Sequence, residues 1–339
     1  MGDKLNILCS NPNGGAFLYI TRGWENAFKA LGHNFERWDG SDKHLKRFKP
    51  HIYLGCSGWR QHLPQWARDE FGTKVAIHVN PWGSTVLKPL PGETDVNEKD
   101  AAIKWVAQQK PDFLYCYGID QDIDHMWNKW EDKISIVIPM PTAGDAVIHR
   151  PVAHDPKFAC QVGFVGGRWA YKARNIDKYL LPVINQFNSK VYGWGGWNHK
   201  KYLGQIADQN LNKLFSSAKV CPAVVEPHTS RYGIDIPERM FKIPLAGGFV
   251  VCDPCKGLQR YVSKDIFPIA KNPQNYKKLI AYYVNHDDER LALQKKQLSV
   301  ILKKHTYFTR IQGFLKFSGR SEEAEEAQKK VDELVNAVV

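Results

Sequence analysis

A pair of adjacent glycines and three cations stand together in the run Cys160-Gln-Val-Gly-Phe-Val-Gly-Gly-Arg-Trp-Ala-Tyr-Lys-Ala-Arg174. Gly166 and Gly167 break an apolar, β-type stretch (Val162, Phe164, Val165), and a helical pattern carrying Leu180, Leu181, Val183 and Ile184 follows. The order is strand, glycine turn, helix. Residues without a Cβ let a ligand approach the backbone, and amides at a helix start favour an anion. Arg168, Lys172 and Arg174 add positive charge at the same end, so a diphosphate suits the turn. The competing reading is an ordinary βα turn with solvated basic residues.

Other residues offer rival chemistry. Asp120-Gln-Asp-Ile-Asp124 has the spacing by which carboxylates hold a divalent metal and a diphosphate, but it follows a strand and opens a helical pattern, where Asp is a common cap. Capping is the preferred reading, and no metal is expected. Cys252-Asp-Pro-Cys255 lacks a second pair at zinc spacing. His78 closes a strand pattern and His228 follows Glu226-Pro227; either is a structural histidine or, for His78 beside Asn80, a base. Asp39 and Asp95 are rivals for the base. Trp59 and Trp82 sit in loops after strands, where a ring can stack on a sugar or a base; with Arg60, His62 and Lys88 they would form a basic aromatic acceptor surface.

The 339 residues suffice for two domains, and 43% hydrophobic with 24% charged residues describes a folded chain. A net charge of +12 draws anions, namely nucleotides, nucleic acid or an acidic surface. Membrane insertion is not expected, because no apolar run approaches the roughly 18 to 20 residues of a span. The short apolar run in residues 1–9 is not that of a secretory leader, and Asn6 stands where a myristoylation motif wants Ser or Thr. The seven cysteines lie mostly in apolar runs and read as buried thiols, so a cytoplasmic location is expected, in the host if the protein is viral.

Positioning these groups requires alternating strands and helices. Strand patterns over 5–9, 35–38, 52–56, 74–79, 113–117 and 134–138 alternate with helical ones over 17–31, 63–71, 98–109 and 123–130. Four prolines in 139–158 interrupt the pattern. It restarts with strands over 161–165, 190–192, 219–225 and 249–252, and ends in helices over 273–285, 287–305, 308–317 and 322–338. The fold class expected is α/β, with two doubly wound Rossmann-like domains facing across a cleft, one in 1–150 and one in 151–305. The oligomeric state is left open.

The second half resembles the CgeB-like, spore-protein branch of glycosyltransferases with GT-B architecture. The resemblance, strongest over 160–315, rests on the Gly163-Phe-Val-Gly-Gly167 turn and on Pro237-Glu-Arg-Met-Phe-Lys-Ile-Pro-Leu-Ala-Gly-Gly248. It continues through Tyr282-Tyr-Val-Asn-His-Asp-Asp-Glu-Arg290 and His305-Thr-Tyr-Phe-Thr-Arg310. It implies an acceptor-binding domain in 1–150, a nucleotide-sugar-binding domain in 151–305 whose co-substrate is expected to be UDP-linked, and a return of 306–339 to the first domain. Gly166, Gly167, Arg168 and Lys172 would meet the diphosphate, Tyr192 and Gly193 the base, and Glu226, His228, Gly233 and Arg239 the sugar and phosphates. Lys242 departs from the family, which commonly has a carboxylate there for the ribose hydroxyls; Glu238, one turn earlier, is the substitute, or else a first-turn carboxylate favoured by the helix dipole. Basic balance and aromatic loops single out hydroxymethylpyrimidine in DNA as the expected acceptor, against a surface glycan or a protein. A non-catalytic nucleotide-sugar or nucleic-acid binder is the reading from another class.

Overall fold

The computed structural model describes residues 2–12, 16–79, 100–117, 137–232 and 235–338. The candidates Asn80, Trp82, Lys88, Asp95, Gly233 and the Asp120–Asp124 motif lie outside the described residues, as does the helix expected over 123–130.

The chain forms two compact units, one of Met1–Thr142 with Tyr307–Asp332 and one of Ala143–Thr306 with Glu333–Val339. The division expected after residue 150 falls at Thr142, because 143–150 is already bonded within the second unit. Gly144 donates to the His305 carbonyl, and His149 and the Ile148 carbonyl both bond Asn212.

In the first unit six parallel strands run in the order β2-β1-β3-β4-β5-β6: β1 (Asn6–Cys9), β2 (Asn34–Arg37), β3 (Ile52–Cys56), β4 (Lys74–His78), β5 (Phe113–Cys116) and β6 (Val137–Pro139). Helix α1 (Ala16–Ala30) buries Ile20, Trp24, Ala27 and Phe28, a helical spacing, and stops at Gly32, whose φ of 88° is open to glycine. A short helix α2 (Asp42–Phe48) escapes periodicity because its seven residues are mostly charged; Ser41 caps it by accepting from the His44 amide. Within this same unit α13 (Tyr307–Phe317) packs on α1. A Cβ at Gly23 would lie 2.1 Å from the Tyr307 ring, and Phe314 meets Trp24 edge-on at 5.6 Å. Helix α14 (Ser321–Asn336) is anchored by Glu326, which accepts from the Gly2 amide.

The second unit has four parallel strands in the order β10-β9-β7-β8: β7 (Cys160–Val165), β8 (Ser189–Tyr192), β9 (Ala218–Ala223) and β10 (Val250–Cys252). Here, as in the first unit, the first strand pairs with the second on one side and the third on the other. Chain direction across the sheet therefore reverses between β7 and β9, and the carboxyl ends of those strands bound the crevice where such sheets take ligands. The helix after β7 runs as α5 (Ala170–Asn175), a wide π turn (Ile176–Leu180) and α6 (Leu181–Gln186). Pro182 has no N–H for the carbonyl one α turn back, and the hydrogen-bond register slips ahead of it. The core beneath holds Val162, Phe164, Ile176, Leu180, Val183, Ile184, Val191, Val220 and Tyr276. Helix α11 (Pro273–Asn285) starts where Asn272 accepts from the Asn275 amide.

Among the described residues no helix is long and apolar enough to cross a membrane.

Candidate active site

The reversal point of the second unit gathers one acid and two bases. Lys172, on the first turns of α5, reaches Glu226 just past β9, with Nζ 2.7 Å from Oε1. The lysine side chain is 2% exposed and the glutamate 22%. Burial and the nearby Arg239 pull the ammonium down to about 8 against the opposing pull of Glu226. Burial by itself would lift the Glu226 carboxyl, but Lys172 and Arg239 outweigh it and hold the group down at about 2.

Arg239 opens α9 (Arg239–Leu245) and lies across the end of β7, its guanidinium carbon 5.9 Å from the Phe164 ring centroid. A Cβ at Gly166 would stand 3.0 Å from its Nη1, so glycine makes the close approach possible. That Nη1 is buried and has no hydrogen-bond partner among the described residues. A buried guanidinium nitrogen without an acceptor is a donor waiting for an anion.

The peptide ahead of Glu226 is held from both sides. Val225 N–H donates to both oxygens of Asp253, at 3.1 and 3.2 Å, and the Val225 carbonyl accepts from Asn175 Nδ2 at 2.9 Å. Asn175 lies three residues after Lys172, so one face of α5 supplies both contacts. Asp253 is fully buried just past β10, and desolvation pushes its carboxyl up to about 8. Sequence reasoning did not single out Asn175 or Asp253 as site residues; the one signal available was an acid directly after a buried strand.

Two of the groups expected at the diphosphate have partners of their own here. The amides around Gly167 were expected to face a ligand, but the pairing of β7 with β8 continues past both strands. Gly166 N–H donates to the Tyr192 carbonyl at 3.0 Å and Arg168 N–H to the Trp194 carbonyl at 2.9 Å. Arg168 was expected to join Lys172 on the diphosphate, yet its guanidinium bonds both oxygens of Asp177 and the Gly196 carbonyl. The carboxylate that occupies it stands nine residues on, in the π turn. Arg174 sits at the far end of α5.

Tyr192 and Gly193 form the edge of this turn. Gly193 has φ of 144°, and a Cβ there would fall 1.9 Å from the Gly166 carbonyl oxygen. His228 stacks on Tyr171 with ring centroids 5.8 Å apart and has Nε2 3.6 Å from Asp235 Oδ2. Glu238 and Lys242 pair with each other at 3.5 Å across one turn at the start of α9. Glu238 makes no side-chain cap.

In the first unit His78 is buried at the end of β4 against Tyr117, with ring centroids 4.1 Å apart, and Phe17, at 5.0 Å. Desolvation pulls its imidazole down to about 3, which leaves it neutral and a weak base. Trp59 packs edge-on against Phe17 at 4.7 Å, and Arg60 beside it is exposed, its Nε donating to the Ser57 carbonyl. Asp39 accepts from the Ser41 amide, and the Ser41 bonds hold its carboxyl below the usual range. All seven cysteines are buried free thiols, and no metal-binding group of His, Cys, Asp and Glu occurs among the described residues.

Comparison with known proteins follows this division. No curated protein matches the chain. Sucrose-phosphate synthase from Thermosynechococcus elongatus superposes with a TM-score of 0.62 at 11% identity, covering 92% of this chain and 98% of that one. Anabaena HepE in complex with UDP and glucose gives 0.62 at 11% identity, covering 93% and 99%. T4 phage β-glucosyltransferase gives 0.52 at 11% identity, covering 98% and 97%, and a T4 phage BGT complex holds UDP and Mn2+. Residues 168–316, which include Lys172, Glu226, Arg239 and Asp253, match the glycosyl transferase-like family model. The second unit thus carries a glycosyl transferase-like sequence pattern, and the chain has the GT-B fold of two doubly wound, Rossmann-like α/β units.

Proposed function

We propose that the protein is a metal-independent glycosyltransferase that moves a hexosyl or pentosyl group from a UDP-linked sugar to a hydroxyl acceptor. The observation that carries this reading is the unsatisfied Arg239 Nη1 beside Gly166, with the buried Lys172 paired to Glu226 at the same strand ends. The acceptor oxygen attacks the anomeric carbon, the bond from that carbon to the diphosphate oxygen breaks, and its electron pair leaves on the diphosphate. The acceptor proton passes to a base. Lys172 and Arg239 meet the charge that develops on the leaving group, and they do so from fixed positions in a largely dry site. Glu226 holds Lys172 in place, and Asp253 with Asn175 holds Glu226.

The acceptor proposed is a hydroxymethylpyrimidine in DNA, the first unit being the side that takes it. Its support is the net charge of +12 and the exposed Arg60 next in sequence to Trp59. A base would have to leave the stack to meet the donor. The Lys242–Glu238 pair, which takes a cation to a place where the resembled family has a free acid, favours a second reading as a nucleotide-sugar binder without turnover.

Incubation with radiolabelled UDP-glucose and other UDP-sugars, with EDTA or Mn2+, against hydroxymethylcytosine duplex, plain duplex and glycan acceptors separates these readings. UDP release with label on the modified duplex in EDTA is the expected result. Label on a non-DNA acceptor ends the DNA proposal, dependence on Mn2+ ends metal independence, and tight binding without turnover ends the transferase reading.

A further inference from the structure

At 56% exposure Trp194 is the most exposed large hydrophobic side chain among the described residues, whereas Trp24, Trp38 and Trp197 are buried. The six-membered ring of Trp194 lies on the bare α-carbon of Gly167, close enough that a Cβ there would come within 2.5 Å of it. Its own backbone is fixed, since its carbonyl accepts from Arg168 N–H and its neighbours Gly193 and Gly195 take φ of 144° and 92°. One face of the ring therefore rests on the turn that starts α5, and the rest is open.

We infer that the open face of Trp194 is the platform on which the base of the nucleoside diphosphate stacks. The inference rests on the donor reading above and adds to it the group that holds the base. In a doubly wound sheet, phosphates on the first βα turn direct the nucleoside toward the end of the next strand. That strand is β8, and Trp194 is the second residue past it. Stacking on an aromatic face takes any base, so Trp194 supplies affinity for the nucleoside without choosing uracil over another base.

Calorimetric titration of wild type, Trp194→Ala and Trp194→Phe with UDP, ADP and inorganic pyrophosphate tests this. An exposed side chain is replaced, so all three proteins should show the same circular-dichroism melt. Loss of one stacked base corresponds to about a 10- to 100-fold weaker binding of UDP and ADP by Trp194→Ala. Pyrophosphate binding should change by less than about twofold, and Trp194→Phe should stay within a few-fold of wild type for every ligand. Unchanged UDP binding by Trp194→Ala overturns the assignment while the donor reading stands. Equal losses for UDP and pyrophosphate also overturn it, because Trp194 would then only brace Gly167. Wild type that takes pyrophosphate but neither nucleotide sinks both readings at once.

Discussion

Lys172 Nζ stands 2.7 Å from Glu226 Oε1, and of the two side chains only the glutamate reaches solvent. The lysine is charged in a buried place because the acid is there. Without the acid, burial and Arg239 would both act against the ammonium.

Glu226→Gln should therefore lower stability by about 3 kcal/mol, the scale for a buried cation deprived of its partner. Urea unfolding at pH 7 measures it. Lys172→Met should cost less stability, since its partner is partly solvated, yet reduce kcat about 100-fold by removing a fixed charge from the leaving group. Equal stability losses would mean that the pair is not asymmetric.

Arg168 and Arg239 should differ sharply. Arg239→Ala removes the guanidinium whose Nη1 stands unpartnered beside Gly166 and should lower kcat/KM for the donor by about 100-fold, the worth of one preorganised donor group. Arg168→Ala breaks an exposed pair with Asp177 and should change it by less than about fivefold, as exposed ion pairs contribute little. Steady-state UDP release decides; matching losses would restore Arg168 to the diphosphate.

Glycine at 193 is a geometric necessity. Gly193→Ala drives a Cβ to within 1.9 Å of the Gly166 carbonyl oxygen at a φ that side chains avoid, and should cost about 3 kcal/mol or more, read as a fall in Tm. Gly166→Ala should fold, because the crowding atoms are the Phe164 ring edge and Arg239 Nη1, but should weaken UDP binding about tenfold by moving the guanidinium. A Gly166→Ala protein with wild-type UDP affinity would refute the role given to that contact.

Asp253 gives a pH signature. Its folded carboxyl titrates at about 8 against an ordinary value of 3.8, so the folded state holds the proton more tightly. Stability from this group is full below about pH 4 and drains away as pH rises through 8, with a slope of up to about 1.4 kcal/mol per pH unit. Glu226 acts only as pH falls from 4.5 to about 2 and Lys172 only between about 8 and 10.5, while the buried His78 and His149, pulled down to about 3 and about 4, act with the opposite sign up to about 6.5 in wild type and variant alike, so a difference between the two over pH 5 to 7.5 belongs to Asp253. Asp253→Asn, which keeps an acceptor for Val225 N–H, should gain stability relative to wild type across that interval. Parallel stability curves would show that the carboxyl is ionised in the folded protein.

What could be read in advance follows physical scale. Long elements with a buried face announced themselves: α11 runs Pro273–Asn285, the span its helical pattern predicts. Helices of under two turns, such as α2 and α8 (Pro227–Tyr232), leave too few residues for a period to show. The glycine turn was visible because Gly166-Gly167 ends a β run. That Asp177 takes Arg168, that Asn175 and Asp253 share Val225, and that Trp194 lies on Gly167 were not visible. Each depends on which residues the sheet order brings together, and sequence distance does not encode that.

The π turn at Ile176–Leu180 makes the winding of the helix itself part of the binding face. Wound as ordinary α-helix, the same residues would turn Lys172 and Asn175 by about 100° against the apolar anchor of Leu180, Val183 and Ile184. Every residue would survive such a rewinding, and the lysine would still miss its glutamate.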